Sequence, residues 1–255
     1  MARDLDKKTT AKSGARFYVD DKLGNGSEIR LAAAASHHAG RVLRLETGSA
    51  VVLFDGRGGE FEAHISRMER GEVWVKTGAH REIERESRLE VELVQGLSSG
   101  DRMDFTLQKA VELGVSAIQP VATERSVVKL KDERAQRRVE HWRNLVVAAC
   151  EQCGRNRVPV VMPVLEFREW IGTLAANDDA RLLLAPEAPV GLGELPAPPG
   201  KIVLLAGPEG GLAPIETQMA LSRGFQGVRL GPRVLRTETA ALAALAAMQA
   251  RWGDF

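Results

Sequence analysis

At 255 residues the chain has room for one large domain or two smaller ones, and 44% hydrophobic with 27% charged residues place it among ordinary globular proteins. A formal net charge of only +1, balanced in both halves, excludes a global basic field as the means of holding nucleic acid, so RNA contacts have to use local patches. Two cysteines exclude a disulfide scaffold, and no apolar run approaches the roughly 20 residues that cross a bilayer; a reducing cytoplasm without a membrane span is expected.

Residues 1–15 are polar and charged without an apolar h-region, and read as a disordered tail, not a secretory signal. From residue 16 to 86 short strands are predicted at 16–19, 41–45, 50–54, 60–65 and 73–75. Asp55-Gly56-Arg57-Gly58-Gly59 and Gly71 supply breaks, and a short helix is expected near 32–41. Strands at this spacing predict a small β-barrel. The charged run Arg81-Glu82-Ile83-Glu84-Arg85-Glu86 reads as a linker.

Beyond it, over 87–255, apolar strands alternate with helical periodicity. Strands are predicted at 89–94, 115–121, 158–164, 181–185, 201–206 and 227–230, and helices at 101–113, 132–153, 166–174, 214–223 and 237–252. Gly114 and Gly154 close two of the helices. Such alternation implies an α/β domain with a mostly parallel sheet covered on both faces.

The candidate chemistry gathers late in the chain. Gly207-Pro208-Glu209-Gly210-Gly211 follows a strand and precedes a helix that has Pro214 in its first turn. It reads either as a bare strand-to-helix turn or as a backbone-lined pocket at a strand end. The spacing fits neither the dinucleotide fingerprint nor a P-loop. In the second loop, Leu230-Gly231-Pro232-Arg233-Val234-Leu235-Arg236, two arginines crowd into a tight segment, and Thr237 is placed to cap the alanine-rich helix that follows. That helix has little side-chain bulk and suits close packing or a subunit interface. Cys150-Glu151-Gln152-Cys153 lies at a helix C-terminus and lacks the partners of a zinc site, so buried structural thiols are expected. Arg155-Asn156-Arg157 reads as a phosphate contact or a solvated surface.

Four blocks together resemble the SPOUT-class RNA methyltransferases, specifically the ribosomal RNA small subunit methyltransferase E family. They are Phe105-Thr106-Leu107-Gln108-Lys109-Ala110-Val111-Glu112-Leu113-Gly114-Val115, Cys150 to Arg157, Gly207 to Gly211, and Leu230 to Ala240. The resemblance implies a PUA-like RNA-binding β-barrel over 16–86 and a SPOUT domain over 87–255 with a parallel sheet and a deep trefoil knot. It implies S-adenosylmethionine as cofactor, no metal, a homodimer, and 16S rRNA or the small ribosomal subunit as partner. The implied reaction is methylation of uridine N3; a ribose 2′-hydroxyl target and a non-catalytic RNA-binding protein are the alternatives. Carried onto this chain, the cofactor residues are Leu184, Ala185, Gly207, Glu209, Gly210, Gly211, Leu230, Gly231, Leu235, Arg236, Thr239 and Ala240. Arg236, then Arg233, is expected to stabilise the uracil anion, and Glu238 or Glu209 to take the N3 proton. Arg16, Arg125, Arg155 and Arg157 are the expected RNA contacts.

Overall fold

The computed structural model describes residues 14–130, 132–177 and 179–255. Most of the expected tail lies outside the described residues, and Ala15 already belongs to the first strand. The chain divides into two units, Met1–Glu84 and Arg85–Phe255.

The first unit holds β1 (Ala15–Tyr18), β2 (Glu28–Arg30), α1 (Ala33–His37), β3 (Ala50–Phe54), β4 (Glu60–Glu69) and β5 (Glu72–Arg81). They form one sheet in the order β1-β3-β4-β5-β2, with β1 and β3 parallel and the other pairs antiparallel. Alternate residues face one apolar cluster, so Phe17, Leu53, Ile65 and Val75 are fully buried. The β4–β5 hairpin turns on Arg70 and Gly71, both at positive φ, the pairing that matches strand twist in a two-residue turn. Both strands run well beyond their predicted ends because the hairpin keeps pairing through two register shifts.

The strand expected at 41–45 does not form. The helix begun by the alanines continues into a π turn at His38–Val42, which leaves Val42 and Leu43 facing solvent and sends Ala39 to the core. β2 escaped prediction because it is three residues long and two of them are exposed.

The second unit holds β6 (Val91–Gly96), α2 (Gly100–Glu112), β7 (Ala117–Ala122), α3 (Asp132–Cys153), β8 (Val160–Val161), β9 (Leu165–Glu166) and α4 (Phe167–Thr173). Then follow β10 (Ala180–Leu184), β11 (Ile202–Ala206), α5 (Pro214–Ser222), β12 (Gln226–Val228) and α6 (Thr237–Trp252). All strands are parallel, in the order β12-β10-β11-β6-β7-β8, with β9 also on β7. β6 and β11 lie mid-sheet and are buried at every position; β11 is apolar throughout, and β6 carries the buried polar residues Glu92 and Gln95 among its apolar ones. Val94 and Leu205 pack on Phe167, Trp170 and Phe225 from α4 and the α5–β12 connection. On the helical side, α2 packs on α3 and α6, and α6 reaches β11. Gly114 and Gly154 take positive φ just beyond α2 and α3, as helix-stopping glycines do. Among the described residues no helix is long and apolar enough to cross a membrane.

Two polar ties fix where these elements end. Arg155 is buried, donates to Glu86 from Nε and Nη2, and donates from Nη1 to the carbonyls of Val111 and Val115. Buried Thr237 donates through its hydroxyl to the carbonyl of Gly207 at 2.6 Å and accepts from Gln95 Nε2 at 3.1 Å. The start of α6 is thereby pinned to the loop after β11. This hydroxyl does not cap α6 as expected; Arg236 occupies the N-cap position, and no side chain caps it.

Candidate functional site

The carboxyl ends of β10, β11 and β12 converge on a cavity of about 720 Å³, in the position where open parallel sheets take ligands. Leu184 and Ala185 close one wall, residues 206–212 a second, and residues 228–230 with 233–238 a third. Close backbone approach explains the glycines. A Cβ on Gly96 would stand 2.6 Å from the Pro208 nitrogen, one on Gly207 3.1 Å from the Leu212 nitrogen, and one on Gly210 3.1 Å from Arg125 Cβ. Gly211 and Gly231 have φ of +66° and +103°, where side chains are strained.

Charge is arranged unevenly around this space. Glu209 Oε1 accepts from the backbone N–H of Ser99 at 2.9 Å and from Arg102 Nη1 at 3.1 Å. Arg102 Nε also lies 3.9 Å from Glu238 Oε1. Burial opposes ionisation of Glu209, but the N–H groups of Ser99 and of Glu209 itself, the Ser99 hydroxyl and the Arg102 guanidinium outweigh it, so its carboxyl sits below the ordinary carboxylate value. The second oxygens of both carboxylates, Glu209 Oε2 and Glu238 Oε2, are buried and meet no hydrogen-bond donor among the described residues. Buried polar atoms are normally paired, so two such oxygens beside one cavity point to a cationic or donor-bearing ligand group. Arg233 and Arg236 line the cavity yet are exposed, and among the described residues neither enters an ion pair.

The structure brings together most of the expected site residues. Leu184, Ala185, Gly207, Glu209, Gly210, Gly211, Leu230, Leu235, Arg236 and Ala240 line the cavity, as do Arg233, Glu238 and Arg125. Gly231 and Thr239 do not line it; one turns the second loop and the other stands on the exposed side of α6. Arg155 departs from its expected place at RNA, because its guanidinium is spent inside the protein on Glu86 and two carbonyls. Arg16 departs similarly: its side chain is 10% exposed, pairs with Glu60 at 2.5 Å and lies over the Phe54 ring. Arg157 is exposed on the same loop as Arg155. Cys150 is buried with its thiol toward the Arg157 carbonyl at 3.8 Å, and burial pushes the half-buried Cys153 up in pKa, away from reactivity. Among the described residues no three metal-ligating side chains gather.

Arg102, Ser99 and Gln95 were missed by sequence reasoning, since their partners lie more than 100 residues away. One signal for Arg102 was available. A cation in the first turn of a helix opposes the helix dipole, which favours a carboxylate partner from elsewhere.

The RNA methyltransferase domain family matches residues 85–249, and an RNA methyltransferase PUA domain matches residues 31–77. Ribosomal RNA small subunit methyltransferase E of Buchnera aphidicola subsp. Schizaphis graminum is 31% identical over 239 residues, 94% of this chain and 97% of that relative. This chain belongs to the ribosomal RNA small subunit methyltransferase E family. The ribosomal RNA small subunit methyltransferase E of Neisseria gonorrhoeae, solved bound to S-adenosyl methionine, is similar with a TM-score of 0.88 and 43% identity, covering 95% of this chain and 99% of that one. A methyltransferase of Legionella pneumophila, solved in complex with the cofactor SAM, has a TM-score of 0.90 and 38% identity over 95% and 99% of the two chains. Membership in the ribosomal RNA small subunit methyltransferase E family accounts for both units: a PUA domain within the first, and a methyltransferase domain carrying the cavity in the second.

Proposed function

We propose that this chain binds S-adenosylmethionine in the cavity and methylates N3 of a uridine in the 16S rRNA of the small ribosomal subunit, as a homodimer in the cytoplasm. The observation that carries the reading is the cavity itself, where two loops at the strand ends close on one space beside two carboxylate oxygens that lack donors. Its contents fit that cofactor. Leu183, Leu212 and Val228 offer apolar surface to an adenine ring, the glycine loops bring backbone close, and Glu209 Oε2 with Glu238 Oε2 suit a cationic amine. Leu184, Ala185, Gly207, Gly210, Gly211, Leu230, Leu235 and Ala240 are assigned as the remaining wall, with Gly231 and Thr239 shaping it from outside.

When bound, S-adenosylmethionine supplies an electrophilic methyl group on a sulfonium. The chain's own residues position the acceptor and manage its proton. Uracil N3 has to lose a proton before or during attack; Glu209, its carboxyl held below the ordinary range, is poorly suited to take it, and the expected base Glu238 is committed through Oε2 to the amine. Arg236, with Arg233 behind it, is assigned to the negative charge that develops on the uracil oxygens, a role suited to exposed cations at a cavity rim. Arg125 and Arg157 are assigned to RNA phosphates by their exposure. The chain path supports the knot. After edge strand β12 the second loop lines the same cavity as the first, and α6 then packs on α2 and mid-sheet β11 while Thr237 holds the Gly207 carbonyl. The alanine-rich α6 supports a close dimer contact.

The test is transfer of labelled methyl to small ribosomal subunits and, separately, to naked 16S rRNA, with the product mapped by mass spectrometry. Arg236→Ala is expected to keep the fold while losing about 10²–10³-fold in rate, as loss of one charge-stabilising donor does. A methyl group on a ribose 2′-oxygen, or wild-type rates from Arg236→Ala, would overturn the reading.

A further inference from the structure

Arg102 belongs to neither loop, yet it is the one described cation paired with both unsatisfied carboxylates. It stands in the first turn of α2, where its guanidinium reaches Glu209 Oε1 at 3.1 Å through Nη1 and faces Glu238 Oε1 at 3.9 Å through Nε. Glu209 belongs to the loop after β11 and Glu238 to the first turn of α6, so a single side chain joins the two walls of the cavity. In each carboxylate Arg102 engages Oε1 and leaves Oε2 buried without a donor. A planar fork, with Nη1 toward one carboxylate and Nε toward the other, suits that task in a fixed geometry; a lysine ammonium carries the charge without that fork.

Resting on the donor-site reading above, we propose that Arg102 is a positioning residue. It holds Glu209 and Glu238 so that their free oxygens together receive the ammonium group of the cofactor's amino-acid tail. Removing it leaves two anions without their shared cation; they separate or turn, and the ammonium loses its paired acceptors. The effect falls on ligands that carry the amine and spares those that do not.

Calorimetric titration of the full-length protein separates this from a general loosening of the fold. The two probes are S-adenosylmethionine and 5′-methylthioadenosine, which keeps the adenosine and lacks the amino-acid tail. For Arg102→Met, affinity for S-adenosylmethionine is expected to fall tenfold or more, and for 5′-methylthioadenosine to stay within twofold of wild type. Arg102→Lys, which keeps the charge without the fork, is expected to fall between wild type and Arg102→Met with the first ligand and to match wild type with the second. It also serves if Arg102→Met does not fold. Equal loss for both ligands overturns the proposal by reducing Arg102 to a structural role, and so does wild-type affinity of Arg102→Met for S-adenosylmethionine. A wild-type protein that binds neither ligand overturns the donor-site reading itself, and this proposal with it.

Discussion

Replacing Arg155 by Met decides whether that arginine serves RNA or the fold. The change removes the donors at 2.9 and 2.5 Å from Glu86 Oε2 and those at 3.0 and 2.8 Å from the Val111 and Val115 carbonyls. The Val111 carbonyl keeps the Gly114 N–H, so its loss is small. The Val115 carbonyl costs about 1–2 kcal/mol as a buried acceptor without that donor. Glu86, 17% exposed, keeps the Arg157 N–H and gains some water, so its share is about 2 kcal/mol, not the full penalty of an isolated buried charge. Together the expected loss is about 4 kcal/mol, enough to lower Tm by roughly 8–16 °C in a unit of this size. Urea unfolding followed by tryptophan fluorescence measures it, with Arg155→Met/Glu86→Met expected to recover a good part because no charge is then stranded. A single variant within about 1 kcal/mol of wild type that nonetheless loses RNA affinity would refute this reasoning and return Arg155 to the RNA surface.

Arg157→Ala, on the exposed neighbour, is expected to reduce the salt slope of RNA binding by about one, read from filter binding across a salt series. Thr237→Val removes the donor at 2.6 Å to the Gly207 carbonyl and leaves that oxygen, among the described residues, Gln95 Nε2 at 3.4 Å. The expected cost is about 1–2 kcal/mol in urea unfolding, with weaker S-adenosylmethionine binding; unchanged affinity at reduced stability would show the tie is remote from the cofactor. Glu209 has its folded pKa below its ordinary value of 4.5, so its anion stabilises the native state at neutral pH, and that contribution disappears as pH falls through the folded value. Glu209→Gln is therefore expected to be less stable than wild type at neutral pH and to lose less on acidification from about pH 5 to pH 3. Parallel acid curves for the two proteins would refute this.

The second unit was the more legible half, and the reasons are local. α3 begins and ends as expected because helical periodicity runs unbroken to Cys153 and Gly154 then takes φ +89°. β11 was plain because a central parallel strand is apolar at every position. In the first unit the same rules misled. Arg41 to Leu45 has β-branched and apolar residues at strand spacing, but the preceding alanines carry the helix into it as far as Val42, and tertiary packing of Ala39 settles the outcome. β2 needed the edge of β5 to exist at all, and a partner 46 residues away leaves no trace in a three-residue window.

The place of the site was legible from the backbone. Glycines announce that something must come close, and both loops of the cavity carried them. Side-chain partnerships crossing more than 100 residues carry no such mark, which hid the ties from Ser99 and Arg102 to Glu209. Arg155 was misplaced for a related reason: an arginine beside a helix C-terminus has the same appearance in sequence whether it faces solvent or a buried carboxylate. What distinguishes the two is the acidic residue that answers it, here Glu86 at the start of the second unit. Arg102 supplies the complementary case. Its position in the first turn of α2 runs against the helix dipole, a cost that a solvated arginine has no reason to bear, and the structure shows carboxylates from both cavity walls offsetting it. A charge standing where local electrostatics disfavours it is thus a sequence-level pointer to a distant partner, and in this chain that partner is part of the cavity.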